Sequence, residues 1–162
     1  MMIGGRAHVF GHDVNTDVII PAMYLNTFDP VFLGKHAMEG IDPDFSTKVS
    51  PGDVLVAGSD FGCGSSREHA PIAIKACGIS AVVARSFARI FFRNAINIGL
   101  PALTADASSA REGDQLKILL DAGTIRNVTR GETYRFQPLP QFLLDILDSG
   151  GLLEHTRRRM ER

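Results

Sequence analysis

The sequence contains only two cysteines, Cys63 and Cys77. Cysteine is the residue that stabilises small secreted proteins through disulfides and that binds zinc in clusters. Two separated cysteines cannot build a disulfide framework, and they lack the clustered spacing of a zinc site. The formal net charge of -1 at pH 7 gives no reason to expect attraction to nucleic acid or to an anionic membrane. No apolar run approaches the roughly 18 residues of a membrane-spanning helix, and no signal-peptide pattern opens the chain. We therefore expect a cytoplasmic protein without a metal site of its own.

The middle of the chain predicts an α/β fold. Residues 53–57 (DVLVA) and 81–84 (AVVA) are compact apolar segments, and the second lacks polar alternation, which is typical of a strand buried on both faces. A helix is expected from about 67 to 77, where Gly78 ends it, and another at 87–98 with one apolar stripe. A strand–helix–strand–helix alternation is the pattern of an α/β layer.

Shorter elements are expected on either side of this unit. Asp17 begins an apolar segment that Pro21 ends, which favours a short strand. Asp29 and Pro30 are suited to the N-cap and first position of a helix that reaches residue 38. The remaining predicted elements are strands at 6–10, 116–120, 124–128 and 133–136 and a helix at 140–149.

Nothing in the chain marks a domain boundary, since it has no internal repeat and no low-complexity linker. A single domain over residues 1–162 is expected, with its core at about 3–138 and the C-terminal helix at about 140–149. The arginines at 157–159 are interpreted as a solvated basic end that complements a helix dipole, rather than as a nucleic-acid arm.

The most informative segment is the glycine-rich stretch GSDFGCGSSREHAP at 58–71. Its position between a strand and a helix start predicts that Ser65, Ser66 and neighbouring N–H groups face an anion at the positive end of the helix. Two phosphate-binding motifs do not match, because no Lys precedes Ser65 and the last dinucleotide-fingerprint position is Arg67. Arg67 instead offers a planar fork suited to a carboxylate.

Two alternative roles for residues of this stretch stay open. Ser65 and Glu68 have the spacing of a capping box, in which the serine caps the helix and the glutamate reaches back. Cys63 and His69 would form a nucleophile pair if they met in space, although no third orienting group is evident.

Two further regions carry candidate polar residues. Asp17 lies in Asn15-Thr16-Asp17, where it is either a functional carboxylate or one bonded to local N–H groups. The polar residues of segment 85–94 are either part of a site or, as the favoured interpretation, structural: Ser86 would cap the following helix, and Arg89 and Arg93 would form its solvated face.

Together these segments resemble a known family. Residues 58–101 are similar to the swivelling domain of the aconitase superfamily, and DVNTDVIIPAMYL at 13–25 narrows the similarity to the small subunits of 3-isopropylmalate dehydratases. The resemblance implies an aconitase-type swivelling β/β/α domain with a mixed sheet and flanking helices. It also implies a large partner subunit that carries a [4Fe-4S] cluster, with no cluster ligand in this chain.

The resemblance also implies the roles of individual residues. Ser65 matches the base that removes a proton next to a carboxylate, and Asp17 matches an active-site aspartate. Arg67 matches the carboxylate-binding arginine, and Ser66, Asn26 and Thr27 are the other substrate-binding residues. The substrate is a small hydroxy-dicarboxylate, which the paired subunits dehydrate and rehydrate.

One position departs from related dehydratases. Homoaconitase-like members carry an Arg in the loop after Tyr-Leu, where this chain has Asn26. A neutral residue argues against a substrate with a third carboxylate. Three alternatives remain from the sequence: the isopropylmalate enzyme, a homoaconitase or dimethylmalate dehydratase type of hydro-lyase, and a non-catalytic anion-binding module.

Overall fold

A curled seven-stranded sheet dominates the computed structural model, which describes residues 2–161. The strand order is β4-β3-β2-β1-β5-β6-β7. The strands are β1 (Met2–Val9), β2 (Val54–Ala57), β3 (Ala81–Ala84), β4 (Ala102–Thr104), β5 (Gln115–Leu119), β6 (Thr124–Asn127) and β7 (Glu132–Arg135).

Helices flank the sheet and join its parallel strands. They are α1 (Thr16–Ile19), α2 (Pro30–Gly34), α3 (Phe45–Lys48), α4 (His69–Ala76), α5 (Arg89–Asn97), α6 (Gln141–Asp148) and α7 (Leu152–Met160), with a 3-10 helix at Ala22–Tyr24. No helix within the described residues is long and apolar enough to cross a membrane.

The strand β1 joins a parallel half of the sheet to an antiparallel half. Its residues Ala7–Val9 pair in parallel with β2, whereas Met2–Arg6 pair antiparallel with β5. The β2–β3–β4 part is parallel throughout, and β5–β6–β7 form an antiparallel meander. This mixed sheet with flanking helices confirms the predicted α/β class.

Burial explains why these segments form strands. All of β3 is buried, so it lies between two apolar layers, as its lack of polar alternation predicts. One layer packs β2 and β3 against α4 and α5, and the other packs their opposite faces against the meander. In β5 buried Leu116 and Ile118 alternate with exposed residues, because only one face of the meander is covered.

Several predicted elements differ from those observed. The expected strand beginning at Asp17 is wrong, because Asn15 caps α1 by accepting a hydrogen bond from the Val18 N–H at 3.0 Å. Asp29 does cap α2, but that helix ends at Gly34 and not at residue 38. The elements α3, β4 and α7 were not predicted. The basic residues 157–159 lie in the last turn of α7, where Arg157 pairs with Glu154 at 2.7 Å.

Candidate active site

The glycine-rich stretch extends β2 beyond Ala57 and is held on both sides. The Phe61 N–H donates to the Ser86 carbonyl at 3.0 Å, and the Gly62 N–H donates to the Val14 carbonyl at 2.8 Å. The Thr16 N–H in turn donates to the Cys63 carbonyl at 2.9 Å. These bonds bring all three segments with candidate residues to the carboxyl end of the parallel strands, where ligands bind in open α/β sheets.

Gly62 is required by the packing beneath the loop. Its φ of +82° is unfavourable for other residues. A Cβ atom at this position would also lie 2.3 Å from Cγ of Phe91. The close approach of the loop to α5 therefore depends on a residue without a side chain, and it fixes where Ser65 and Ser66 emerge.

Ser65 and Ser66 lie in the loop before α4 and do not cap it. The helix begins at His69, and its N-cap, Glu68, makes no side-chain capping bond, so the capping-box role of Ser65 is wrong. The Ser65 carbonyl accepts a hydrogen bond from Thr16 Oγ1 at 2.6 Å, which anchors the backbone. Within residues 2–161 neither serine hydroxyl makes a hydrogen bond, and both side chains are exposed. The hydroxyls are thus available to a ligand.

Arg67 is fixed by two contacts to the segment around α1. One terminal nitrogen pairs with Asp17 Oδ1 at 2.7 Å, and the other donates to the Ile20 carbonyl at 2.9 Å. The Arg67 side chain is 15% exposed and that of Asp17 64% exposed. An ion pair this open contributes little to stability, so its main effect is to orient the guanidinium.

A cleft of about 270 Å³ lies between the glycine-rich loop and the start of α5. It is lined by residues that include Thr16, Gly62, Gly64, Ser65, Ser66, Arg67, Arg89, Ile90, Phe91 and Asn94. Asp17 is not among them, but it contacts the cleft through Arg67.

Arg89 and Asn94 belong to the candidate segment 85–94, but the sequence did not assign them to the site. The sequence assigned Arg89 to a solvated face, yet it lines the cleft and has no ion pair within residues 2–161. Ser86 does not cap α5 as expected, because its hydroxyl accepts a hydrogen bond from the Asp60 N–H at 2.7 Å. The signal that could have found Arg89 is its place at the start of a helix that follows β3, beside the glycine-rich loop.

Asn26 and Thr27 are not among the residues that line the cleft. Asn26 is exposed, and the Thr27 hydroxyl accepts a hydrogen bond from the Asp29 N–H at 3.1 Å. The loop nevertheless touches the start of α4, since the Phe28 ring stacks on His69 with centroids 4.2 Å apart. The expected substrate contacts of Asn26 and Thr27 therefore stay predictions.

The cysteines are poor candidates for a nucleophile or a metal ligand. Burial raises the pKa of the Cys77 thiol to about 11, and this thiol donates to the Ile74 carbonyl. Burial and the charges of Asp60 and Asp13 raise the pKa of Cys63. Both roles require a thiolate. Among residues 2–161 no group of three or more His, Cys, Asp or Glu side chains could hold a metal ion.

The pairing of Cys63 with His69 is not formed. The His69 ring stacks on Phe28 instead, and its buried Nε2 has no hydrogen-bond partner in the described part of the chain. A base that activated Cys63 would have to accept the proton of its thiol. His69 makes no hydrogen bond with Cys63 in the described residues, so the nucleophile-pair alternative is wrong.

Comparison with known proteins identifies the family to which this fold and cleft belong. Residues 39–108 match the aconitase C-terminal domain. The small subunit of 3-isopropylmalate dehydratase from Moorella thermoacetica is 53% identical over 99% of this chain and 98% of its own. A small subunit 1 of the same enzyme from Methanopyrus kandleri is 54% identical over 99% of this chain and 96% of its own.

A solved structure agrees with these sequences. The crystal structure of 3-isopropylmalate dehydratase (leuD) from Methanocaldococcus jannaschii superposes with a TM-score of 0.94 at 51% identity, over 99% of this chain and 96% of that one. The similarity therefore covers the whole fold and not only the glycine-rich loop. The chain belongs to the family of 3-isopropylmalate dehydratase small subunits, within the aconitase superfamily.

Proposed function

We propose that this chain is the proton-transfer half of a 3-isopropylmalate dehydratase. The reaction interconverts 2-isopropylmalate and 3-isopropylmalate through 2-isopropylmaleate, by loss and return of water, as a step of leucine biosynthesis in the cytoplasm. The observation that carries the proposal is the exposed Ser65 hydroxyl, free of hydrogen bonds within residues 2–161, in the same cleft as the oriented Arg67. Both cysteines are free, which suits a reducing compartment.

Ser65 acts as the base. Its oxygen takes the proton from the carbon next to a carboxylate, the C–H electron pair forms the C=C bond, and hydroxide leaves the neighbouring carbon. Return of water reverses these steps with the hydroxyl on the other carbon. A serine is too weak an acid to ionise in water, so its alkoxide needs the positive charges of Arg67 and Arg89 in a site closed to solvent.

Two arginines each bind one of the substrate's two carboxylates. Arg67 already binds Asp17 and the Ile20 carbonyl, but its guanidinium has further N–H donors for one carboxylate. Arg89 supplies the second positive charge, since no carboxylate of the described residues neutralises it. Asp17 keeps Arg67 in place while the substrate enters.

The group that assists departure of the hydroxide is expected in the partner subunit. A [4Fe-4S] cluster bound by the large subunit would supply Lewis-acid chemistry for the departure of that hydroxyl. This chain has only two cysteines, Cys63 and Cys77, and the family resemblance places the cluster ligands in the large subunit. Ser65 and Ser66 are exposed in this chain alone, and we expect the large subunit to cover them.

Turnover of a substrate panel by the reconstituted pair tests this function. The pair should prefer 2-isopropylmalate over homocitrate, since the loop 24–28 offers no cation at Asn26 for a third carboxylate. The named relatives lead us to expect the same preference over dimethylmalate. A preference for homocitrate or dimethylmalate would assign the chain to a related hydro-lyase. Binding of the dicarboxylates without turnover of any would favour the non-catalytic module.

The variant Arg89→Gln should weaken substrate binding. Without its charge one carboxylate loses a partner, and we expect KM to rise on the order of tenfold, the scale of one charge-assisted hydrogen bond. Steady-state kinetics of the reconstituted pair measure this. The matched control is Arg126→Gln, which removes an exposed arginine from β6 in the meander. An unchanged KM in Arg89→Gln would place its guanidinium outside the substrate site.

The variant Asn26→Arg should change specificity. A guanidinium facing an isopropyl group would lose solvent without gaining a partner, so turnover of the branched substrate should fall. A substrate homologue that carries a carboxylate in place of the isopropyl group should gain in relative kcat/KM. Competition between the two substrates in the reconstituted pair measures the ratio, and Gln137→Arg provides the same added charge at an exposed distant position. If the ratio does not move, the loop does not select the substrate.

A further inference from the structure

The loop that carries Asn26 is held at its beginning by a compact polar cluster. The Tyr24 ring stacks on His36, with centroids 3.8 Å apart and an angle of 10°. The Tyr24 hydroxyl donates to Glu39 Oε1 at 2.5 Å, and His36 Nδ1 lies 2.5 Å from Glu39 Oε2. One carboxylate therefore holds both rings. Phe32 packs edge-on against both, which closes the cluster on the side of α2.

The protonation states favour this arrangement near neutral pH. The hydrogen bond from Tyr24 and the contact with His36 lower the pKa of Glu39, so its carboxylate is ionised. The same bond raises the pKa of the Tyr24 hydroxyl, which keeps its proton and remains the donor. A hydrogen bond to an ionised acceptor is stronger than one between neutral groups.

Glu39 lies on a segment that is fixed to the helix of Asp17. The Met38 N–H donates to the Ile19 carbonyl at 2.7 Å, and the Gly40 N–H donates to the Val18 carbonyl at 3.0 Å. A Cβ atom on Gly40 would lie 2.5 Å from Cα of Val18, so the two backbones approach closely. The cluster is thereby held in a fixed position relative to α1, which carries the carboxylate that orients Arg67 in the cleft.

The far end of the same loop is fixed independently. Phe28 stacks on His69, two residues after Arg67, and Asp29 caps α2 through the Val31 N–H. Only residues 25–27 separate the Tyr24 anchor from the Phe28 anchor. The exposed Asn26 thus sits on a short span whose ends are attached to the segment packed on α1 and to the start of α4.

We propose that Tyr24, His36 and Glu39 are positioning residues that fix the loop 24–28 and so set which substrate the cleft accepts. The proposal rests on the proposed function and deepens it. The cluster acts on binding and discrimination rather than on the proton transfer, because Ser65 and Arg67 have their own anchors in Thr16 and Ile20. A loosened loop would contact the variable group of the substrate for only part of the time.

The test compares Tyr24→Phe with the wild-type chain in the reconstituted pair. The phenylalanine keeps the stack on His36 and loses only the bond to Glu39. We expect KM for 2-isopropylmalate to rise on the order of tenfold and kcat to stay within about twofold, with a reduced preference over dimethylmalate. Glu39→Gln, which retains an acceptor, should be affected less than Glu39→Ala.

Tyr134→Phe is the matched control. Its hydroxyl also bonds a carboxylate, that of Glu132 at 3.2 Å, but in the antiparallel half of the sheet. It should change the melting temperature without changing KM or substrate preference. A KM in Tyr24→Phe equal to that of Tyr134→Phe would overturn the proposal, and so would a parallel loss of kcat and stability at constant preference.

Amide hydrogen exchange of the isolated chain gives a readout that needs no activity. In Tyr24→Phe the amides of residues 25–28 should exchange faster, while those of β5 should not change. Equal exchange of residues 25–28 in both proteins would show that the cluster does not hold the loop. An inactive wild-type pair with faster exchange in the variant would refute the proposed function and leave the positioning of the loop supported.

Discussion

Replacing Ser65 with alanine should lower kcat of the reconstituted pair at least about a hundredfold, the usual effect of losing a positioned proton-transfer group. The Ser65 hydroxyl lines the same cleft as Arg67, and we propose that it takes the substrate proton. Substrate binding should be affected less, because both arginines remain. Steady-state kinetics with 2-isopropylmalate measure both parameters.

The unfolding free energy of Ser65→Ala distinguishes an effect on catalysis from an effect on folding. Ser65 does not cap α4, and its side chain has no hydrogen bond within the described residues. The unfolding free energy should therefore stay within about 0.5 kcal/mol of the wild-type value, as for an ordinary surface substitution. Ser149→Ala, at the end of α6, is the matched control for activity. Near-normal turnover in Ser65→Ala would show that another group removes the proton.

Replacing Arg67 with lysine should lower kcat/KM at least about a hundredfold, although the charge is kept. A lysine carries its three N–H donors on one nitrogen, so it cannot reproduce the planar fork that reaches Asp17, the Ile20 carbonyl and the proposed substrate carboxylate from separate nitrogens. Arg93→Lys, on the exposed part of α5, provides the control. A variant with nearly full kcat/KM would mean that Arg67 contributes only its charge.

The sequence predicted the parallel unit well because its signals are local. Apolar segments of strand length, an apolar stripe and Gly78 identify β2, α4, β3 and α5 in order, and Gly78 adopts a φ of +116° as a helix stop. The errors have equally local causes. The run Val18–Ile20 has strand-like composition, but Asn15 turns it into one helical turn. The strand β4 has only three residues, too few for a pattern.

The site was only partly predictable. Ser65, Arg67 and Asp17 came from a specific motif, and the structure brings the last two into contact. Arg89 was not assigned to the site because it lines the cleft only through the approach of α5 to the glycine-rich loop. The anchoring of Tyr24 by Glu39 joins residues 15 apart in sequence, and it likewise follows from tertiary packing.

Mixing the purified chain with a cluster-loaded large subunit of this family tests the shared active site most directly. The chain alone should show no iron–sulfur absorbance and should not form 2-isopropylmaleate from 2-isopropylmalate. Activity should appear on mixing, and it should saturate when one chain has been added per large subunit. Stoichiometric iron–sulfur absorbance or turnover in the chain alone would contradict the division of the site between two subunits. A large subunit that reaches full turnover without the chain would contradict it as well.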